Sequence, residues 1–382
     1  MGNLFMKKSI YLMLFIFMSC APEPKKEVFK NTFSKTEQCR ISEKSENSEN
    51  NETNKNKKIT KNLWLHLTDG TLGNLYKLDF QSFTLTKAKW PTAFSLRLLA
   101  GDKDEVLILN QFGNDSLQKY NFELGIVEEY QFNHSSNPSS VVVDDLGRYW
   151  VSFYEKNEIV ILAKNGQRKN VILSGLEDED GILEINELMK LPGGQIMALA
   201  QRLRRDHFWA PSRLSAYFII DATSLEVVEK EFIPVSNVLK SYLNDSQLSF
   251  IGAGDLSGEG LSAQMVDFSL VRKEFIDRQE TNYYLLAHHQ FRILINDQRN
   301  ILKNSEIRWY GKNTQNCLYI DGKEIRCLEG DYRLFHLDNI GECVIVGRRH
   351  DKYDALWLFN QTGDFLEELI LPGKLASFVA GP

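Results

Sequence analysis

Residues 137–175 read NPSSVVVDDLGRYWVSFYEKNEIVILAKNGQRKNVILSG. Four short strands can be laid on this stretch. Val141-Val142-Val143 is an apolar run of the kind that is buried, and Asp144-Asp145-Leu146-Gly147 is a tight turn. From Tyr149 to Tyr154 large apolar residues alternate with smaller ones. Asn157-Glu158 turns the chain, Ile159 to Leu162 runs back, and Asn165-Gly166 is a strong hairpin signal before Lys169 to Leu173. Four strands in about forty residues is the size of one repeat of a cyclic β array.

Working outward, the same turn recurs between the first and second strand of each unit. Asp102-Lys103-Asp104 precedes VLIL, Leu191-Pro192-Gly193-Gly194 precedes QIMALAQ, and Asn244-Asp245-Ser246 precedes LSFIGAG. A weaker turn at His289-Gln290 precedes FRILIND, and Asp338-Asn339-Ile340-Gly341 precedes CVIVGRR. No segment sustains helical periodicity. The expected fold is all-β: a single β-propeller over 62–382, most consistently of seven four-stranded blades, with six or eight as alternatives. The expected blades are 62–90 with 375–381, then 93–132, 137–175, 183–234, 236–280, 283–330 and 331–371. Three strands at the start and one left over at the end imply that the C-terminal strand completes the first blade. Closing the ring in this way removes exposed strand edges.

The spacing Pro138-x-x-Val141-x-x-Asp144-x-x-Gly147-x-x-Trp150-Val151 resembles the blade consensus of the broad NHL, YVTN and SMP-30-like propellers. The likeness is good over 137–175 and partial over the second, fourth and seventh units. It implies the fold; propellers host many unrelated activities.

The N-terminus reads as a targeting segment. Lys7-Lys8 precede a short apolar run from Ile10 to Met18, too short for the roughly 20 residues that span a bilayer. Ser19-Cys20 follows, and the whole resembles a bacterial lipoprotein signal. The resemblance implies a signal peptide over 1–19 and acylation (palmitate and diacylglyceryl) of Cys20, anchoring the protein in a lipid bilayer. Each buried CH₂ contributes about 0.8 kcal/mol, so several chains hold firmly. Ala21 follows the Cys, which leans towards the outer membrane, facing the periplasm or the cell surface. Residues 20–61, with the polar run KSENSENNETNKNKK, read as a flexible tether that would set the domain about 30–40 Å from the membrane. The formal net charge of −6 argues against nucleic acid as a partner.

Four further cysteines allow three disulfide pairings in an exported chain. Cys317 and Cys327 flank LYIDGKEIR and are the disulfide candidates. A three-residue turn would set them opposite each other; a two-residue turn would put Arg326 opposite Cys317.

Chemistry is sought in the loops that join the second and third strands of each unit. One carries Arg202, Arg204, Arg205, His207 and Trp209; a second carries Arg308 and Trp309; a third carries Arg348, Arg349 and His350. Arginine with tryptophan is the composition of interface hot spots, and guanidinium grips carboxylate or phosphate in bidentate fashion. These residues are the candidate surface for another envelope protein or an anionic ligand. The alternative is that the arginines pair with nearby acids. Asp255, Ser257 and Glu259 have the alternate-oxygen spacing of a Ca²⁺ loop but lack its closing acid, and the acidic run 177–181 is a second weak cation candidate. No nucleophile elbow, phosphate loop or CxxC pair occurs. A metal-dependent lactonase or esterase of the SMP-30 kind would need an inward quartet, and Glu184, Asn186, Asn244 and Asp338 lie near innermost strands. The reading that follows is a non-enzymatic binding or scaffolding module of the bacterial envelope. The alternatives are that lactonase and an envelope assembly factor.

Overall fold

The computed structural model describes residues 26–27 and 62–380, apart from 69–71, 80–83, 93–95, 101–104, 112, 124, 208, 245, 255–262, 282, 289–290, 297–314, 321–322, 329–332, 341–342, 350–352 and 361–363. Among these residues antiparallel strand dominates. Six four-stranded sheets are each drawn from one stretch of chain. They begin at Leu96–Ala100, Pro138–Val143, Ile185–Leu191, Val238–Asn244, Tyr283–His288 and Arg333–Ile340. Of the two other sheets, one is a two-stranded ribbon and the larger is composite. The C-terminal strand Lys374–Ala380 pairs with Asn62–Thr68, setting Phe378 opposite Leu65, and Gly73–Asp79, Thr84–Thr92 and the short strand Lys26–Glu27 follow in order. This is the closure implied by the leftover strand.

The first strands of neighbouring blades meet around the ring, including Lys374–Ala380 against both Leu96–Ala100 and Arg333–Ile340. They therefore surround the axis and line a central channel. Within a blade the middle strands are buried on both faces. Tyr149–Phe153 is buried throughout, whereas the outermost strand Arg168–Ile172 is exposed except at Val171. Strand alternation divides the middle residues between two interfaces. Trp150, Ile159 and Ile161 pack against Leu188, Ile196 and Phe218 of the next blade. Val151, Phe153, Val160 and Leu162 pack against Leu107, Leu109 and Leu117 of the previous one. That is why these strands are apolar without a break.

The turn at Asp144 explains the blade consensus physically. One carboxylate oxygen accepts the backbone N–H groups of Leu146 and Arg148, both at 2.9 Å. The other accepts Trp150 Nε1 at 2.8 Å and Arg148 Nε at 2.6 Å. Burial works against ionisation of Asp144, but these donors outweigh it and hold its pKa below the ordinary value. Gly147 closes the turn at φ +72°, where a side chain would be strained.

Two expectations are altered. Cys317 does stand opposite Cys327, but through a two-residue connection plus a bulge between Leu318 and Tyr319, with Ile320 opposite Lys323. The bulge does what the longer turn was expected to do. Within the expected tether, Lys26–Glu27 forms a strand beside Thr84–Thr92, with Lys26 opposite Thr86. That pairing shortens any free spacer. Cys20 and the signal segment lie outside the described residues.

Candidate binding site

The loops between second and third strands open on the same rim as the blade-to-blade connections. On that rim the segment after Gln195–Ala200 is the most elaborate described. Leu203–Arg204 pairs with Ala210–Pro211 as a miniature ribbon, capped by a short 3₁₀ turn at Arg205–His207. Ser212 N–H donates to the Arg202 carbonyl at 2.9 Å, and Trp209 N–H donates to the Arg204 carbonyl at 3.0 Å. Arg202 and Trp209 sit at φ +60° and +62°, and Glu184 and Asn237 in the flanking connections at +47° and +53°. None is glycine, so each costs local backbone strain, on the order of 1 kcal/mol or more.

A polar clamp holds this strain. Arg205 Nε donates to Glu184 Oε1 at 2.8 Å, its NH2 donates to the Tyr154 carbonyl at 2.9 Å, and its NH1 pairs with Glu155. Its backbone N–H reaches Asp180 Oδ2 at 2.9 Å. Glu184 is wholly buried and also accepts Leu203 N–H at 2.8 Å. Burial pushes the Glu184 carboxyl up to about 7, only partly offset by the Leu203 and Arg205 donors. A polar chain continues from there across the rim. Tyr154 Oη donates to Gln201 Oε1 at 2.6 Å, and Gln201 Nε2 donates to Asn237 Oδ1 at 2.9 Å. Over this clamp lies Trp209, 48% exposed. Its ring stacks on Tyr154 at 6.3 Å with planes 24° apart, and the Arg205 guanidinium lies 5.0 Å from its centre.

The sequence-predicted residues fall into three groups. Arg202, Arg204, Arg205, His207 and Trp209 are brought together on this loop, and the acidic run beside it supplies their counter-charges. Arg204 pairs with Glu179 at 2.6 Å and lies against the His207 ring nitrogens at 2.9 and 3.0 Å. Arg202 donates to the Leu214 carbonyl at 2.6 Å and covers Phe232 at 4.8 Å. The arginine charges that were candidates for an anion are thus largely engaged within the loop. Arg348 is not a loop residue: it lies in the strand Cys343–Arg349, 6% exposed, pairs with Glu368, and sits 5.2 Å from the Trp357 ring. Arg349 ends that strand. Arg308, Trp309, His350, Asp255, Ser257 and Glu259 lie outside the described residues. The acidic run 177–181 is used internally: Asp178 accepts Ser212 Oγ at 3.3 Å, and Asp180 takes the N–H groups of Arg205 and Ile182, both at 2.9 Å. Among the described residues no three His, Cys, Asp or Glu side chains gather as metal ligands. The quartet considered for a lactonase does not converge. Glu184 precedes and Asn186 opens the strand Ile185–Leu191 at this mouth, whereas Asn244 ends Val238–Asn244 and Asp338 lies late in Arg333–Ile340, towards the opposite end. Seven residues of strand separate the ends by about 20 Å.

Just inside the mouth is a group the loop reading missed. Arg97, on the innermost strand Leu96–Ala100, donates from NH1 to the Asn186 carbonyl at 3.1 Å, reaching past the intervening blade. Glu187 pairs with Lys240 at 2.5 Å and accepts Ser241 N–H and Oγ at 2.7 and 2.9 Å. Asn186 Nδ2 donates to the carbonyls of Val238 and Leu239, each at 3.1 Å, stitching adjacent blades together. Tyr154 and Glu155 were missed because only the register of the preceding strand puts them beside Arg205; the short Glu155-Lys156-Asn157 loop looks ordinary in sequence.

No protein-family model and no curated protein matches the chain. Solved structures do. A candidate 6-phosphogluconolactonase from Bacteroides fragilis is similar with a TM-score of 0.56 at 9% identity, over 85% of this chain and 100% of that one. Another, from Bacteroides uniformis, gives 0.55 at 11% identity, over 84% and 99%. A quinoprotein alcohol dehydrogenase-like protein from Bacteroides thetaiotaomicron gives 0.51 at 11% identity, over 84% and 78%. At such identities the likeness extends to architecture and leaves the chemistry open. The ring of four-stranded sheets, closed by its last strand, and these neighbours agree: the chain folds as a β-propeller.

Proposed function

We propose that this propeller is a non-enzymatic binding module of the bacterial envelope, tethered through an acylated Cys20 and engaging another envelope protein on the rim around Trp209. The observation that carries the reading is Trp209 itself. A large aromatic residue is held exposed, at a positive φ, on a loop braced by Arg205 against Tyr154, Glu155 and Glu184. Folding alone gains little from such an arrangement, whereas a rigid, pre-ordered aromatic anchor suits the centre of an interface. The arginines around it then act as braces and rim groups. The lipoprotein part rests on Lys7-Lys8, the short apolar run and Ser19-Cys20. The Lys26–Glu27 strand would keep the first blade close to such an anchor.

The lactonase reading draws on the printed names of two neighbours, whose identity to this chain is 9% and 11%. Glu184 and Asn186 are committed to Arg205 and to the neighbouring blade, which favours binding over hydrolysis.

The test is crosslinking in whole cells followed by affinity capture, comparing wild type with Trp209→Ala. The variant should lose its crosslinked partner while keeping its fold. Unchanged capture would sink the proposal. Incorporation of labelled palmitate should disappear in Cys20→Ser; equal labelling of the variant would refute the anchor.

A further inference from the structure

We propose that Arg97, backed by Lys240, forms a binding site for a small oxyanion just inside the central channel. The proposal stands apart from the protein-docking role of Trp209.

Among the described residues Arg97 makes no ion pair with a carboxylate. Glu187 is spent on Lys240 and on two donors of Ser241. Glu155 and Glu184 are spent on Arg205, and Glu179 on Arg204. Among the described residues the Arg97 side chain makes one hydrogen bond, from NH1 to the Asn186 carbonyl. That leaves most of its five N–H donors unassigned among the described residues. Its side chain is open to solvent, yet protein surrounds it closely enough that desolvation works against its charge, with Glu187 and Tyr154 pulling the other way. Accessibility combined with crowding on all sides is what a channel wall provides. A guanidinium there, with donors unassigned among the described residues, can make charge-assisted, bidentate bonds to an incoming oxyanion.

The neighbourhood selects size and sign. Arg97 and Lys240 are both cationic, and Glu187 is the one carboxylate whose field the two share. Their formal charges leave an excess of one positive charge. The Asn186 carbonyl holds the guanidinium through NH1 at 3.1 Å, and an oxyanion would take donors that remain. Leu239, 40% exposed, offers an apolar surface on the neighbouring innermost strand. A small carboxylate or a phosphate ester with a short carbon skeleton fits this combination. A macromolecular polyanion does not, because the contact lies inside the ring.

Isothermal titration with inorganic phosphate and, separately, with malonate tests the site, using chloride at matched ionic strength as the control. One of the two should bind saturably, and the tighter one names the class. In Arg97→Gln the affinity should fall about tenfold or more, and in Lys240→Gln by a smaller factor. Saturable binding of neither anion, or equal binding by Arg97→Gln, overturns the proposal. Should Arg97→Gln fail to fold, the wild-type chain still answers. Phenylglyoxal modification of Arg97, read by peptide mass spectrometry, should slow several-fold in the presence of the bound anion. An unchanged rate also overturns it. A Trp209→Ala variant should retain the anion, which separates this site from the protein-docking reading.

Discussion

Blades three and four are built on the same four-stranded plan, but the Asp144 turn of the one and the Arg205 loop of the other use their central polar residue in opposite ways. In blade three, Asp144 turns inward on its own hairpin: its four hydrogen bonds go to Leu146, Arg148 and Trp150 of the same turn. In blade four the polar side chains reach outward, Arg205 to Tyr154 and Glu155 of blade three and Lys240 of blade five to Glu187 of blade four. The backbone repeats the contrast. The left-handed positions in the turns of blade three and at its end are glycines, at Gly147, Gly166 and Gly175, and Asn137 at its start is the exception at φ +48°. Those around the blade four loop include Glu184, Arg202 and Trp209. Glycine makes such positions inexpensive, and a side chain there is retained only where the surroundings hold it. Regularity marks a scaffold unit, and held strain marks the loop proposed to meet a partner.

The largest test of this contrast is Trp150→Ala. Trp150 is completely buried, packs between blades three and four, and donates to Asp144. Removing it leaves a cavity and a carboxylate short of one donor, so unfolding free energy should fall by about 3–5 kcal/mol. Urea denaturation measures this. A loss below about 1 kcal/mol would mean that blade three is not a structural keystone.

The next test is acid–base. The folded-state pKa of Glu184 is raised from 4.5 to about 7, chiefly by burial. Folding therefore favours the protonated carboxyl. The stability this gives is fully present below about pH 4.5 and is lost as pH climbs through 7. Linkage puts the change at up to about 3 kcal/mol. Glu184→Gln cannot ionise, so wild type should lose stability relative to that variant between these limits. A pH-independent difference between the two, or a carboxyl carbon resonance that titrates near 4.5, would show that the clamp solvates Glu184 better than its burial suggests. Blade three supplies the control: Asp144 is shifted the other way, so its contribution is lost at acid pH.

Much of the scaffold was legible because its determinants are local. Asn165-Gly166 and the Asp144 turn announce hairpins, and unbroken runs such as Ile159 to Leu162 announce strands covered on both faces. The site was legible only in outline. Arg202, Arg204, Arg205, His207 and Trp209 stood out as a loop, but their counter-charges did not: Arg205 meets Glu155 from fifty residues upstream, a pairing set by blade packing. The Arg348-Arg349 pair looked like loop because charge is rare in a central strand, yet Arg348 is neutralised by Glu368 on the outermost strand of its own sheet. Arg97 was invisible in SLRLLAG, where it reads as one polar residue in an ordinary strand. Its role comes from where the closed ring puts it, and ring geometry leaves no local trace.

The smallest expected effect on stability belongs to Trp209→Gly, and it bears most directly on the contrast. Glycine relieves the φ of +62° and removes a ring stacked on Tyr154 and covered by Arg205. Strain relief of about 1 kcal/mol opposes a comparable loss of aromatic and cation–π contact. The net change in unfolding free energy should stay within about 1 kcal/mol. Partner capture should nevertheless vanish. A loss of several kcal/mol instead would mean that Trp209 is as structural as Trp150, and the distinction between the two blades would collapse. Near-neutral stability with lost capture would separate the energetics of folding from those of recognition at one residue. The reason is physical: a half-exposed ring contributes to the fold only the part that touches Tyr154 and Arg205, and the exposed remainder is what the proposed partner would bury.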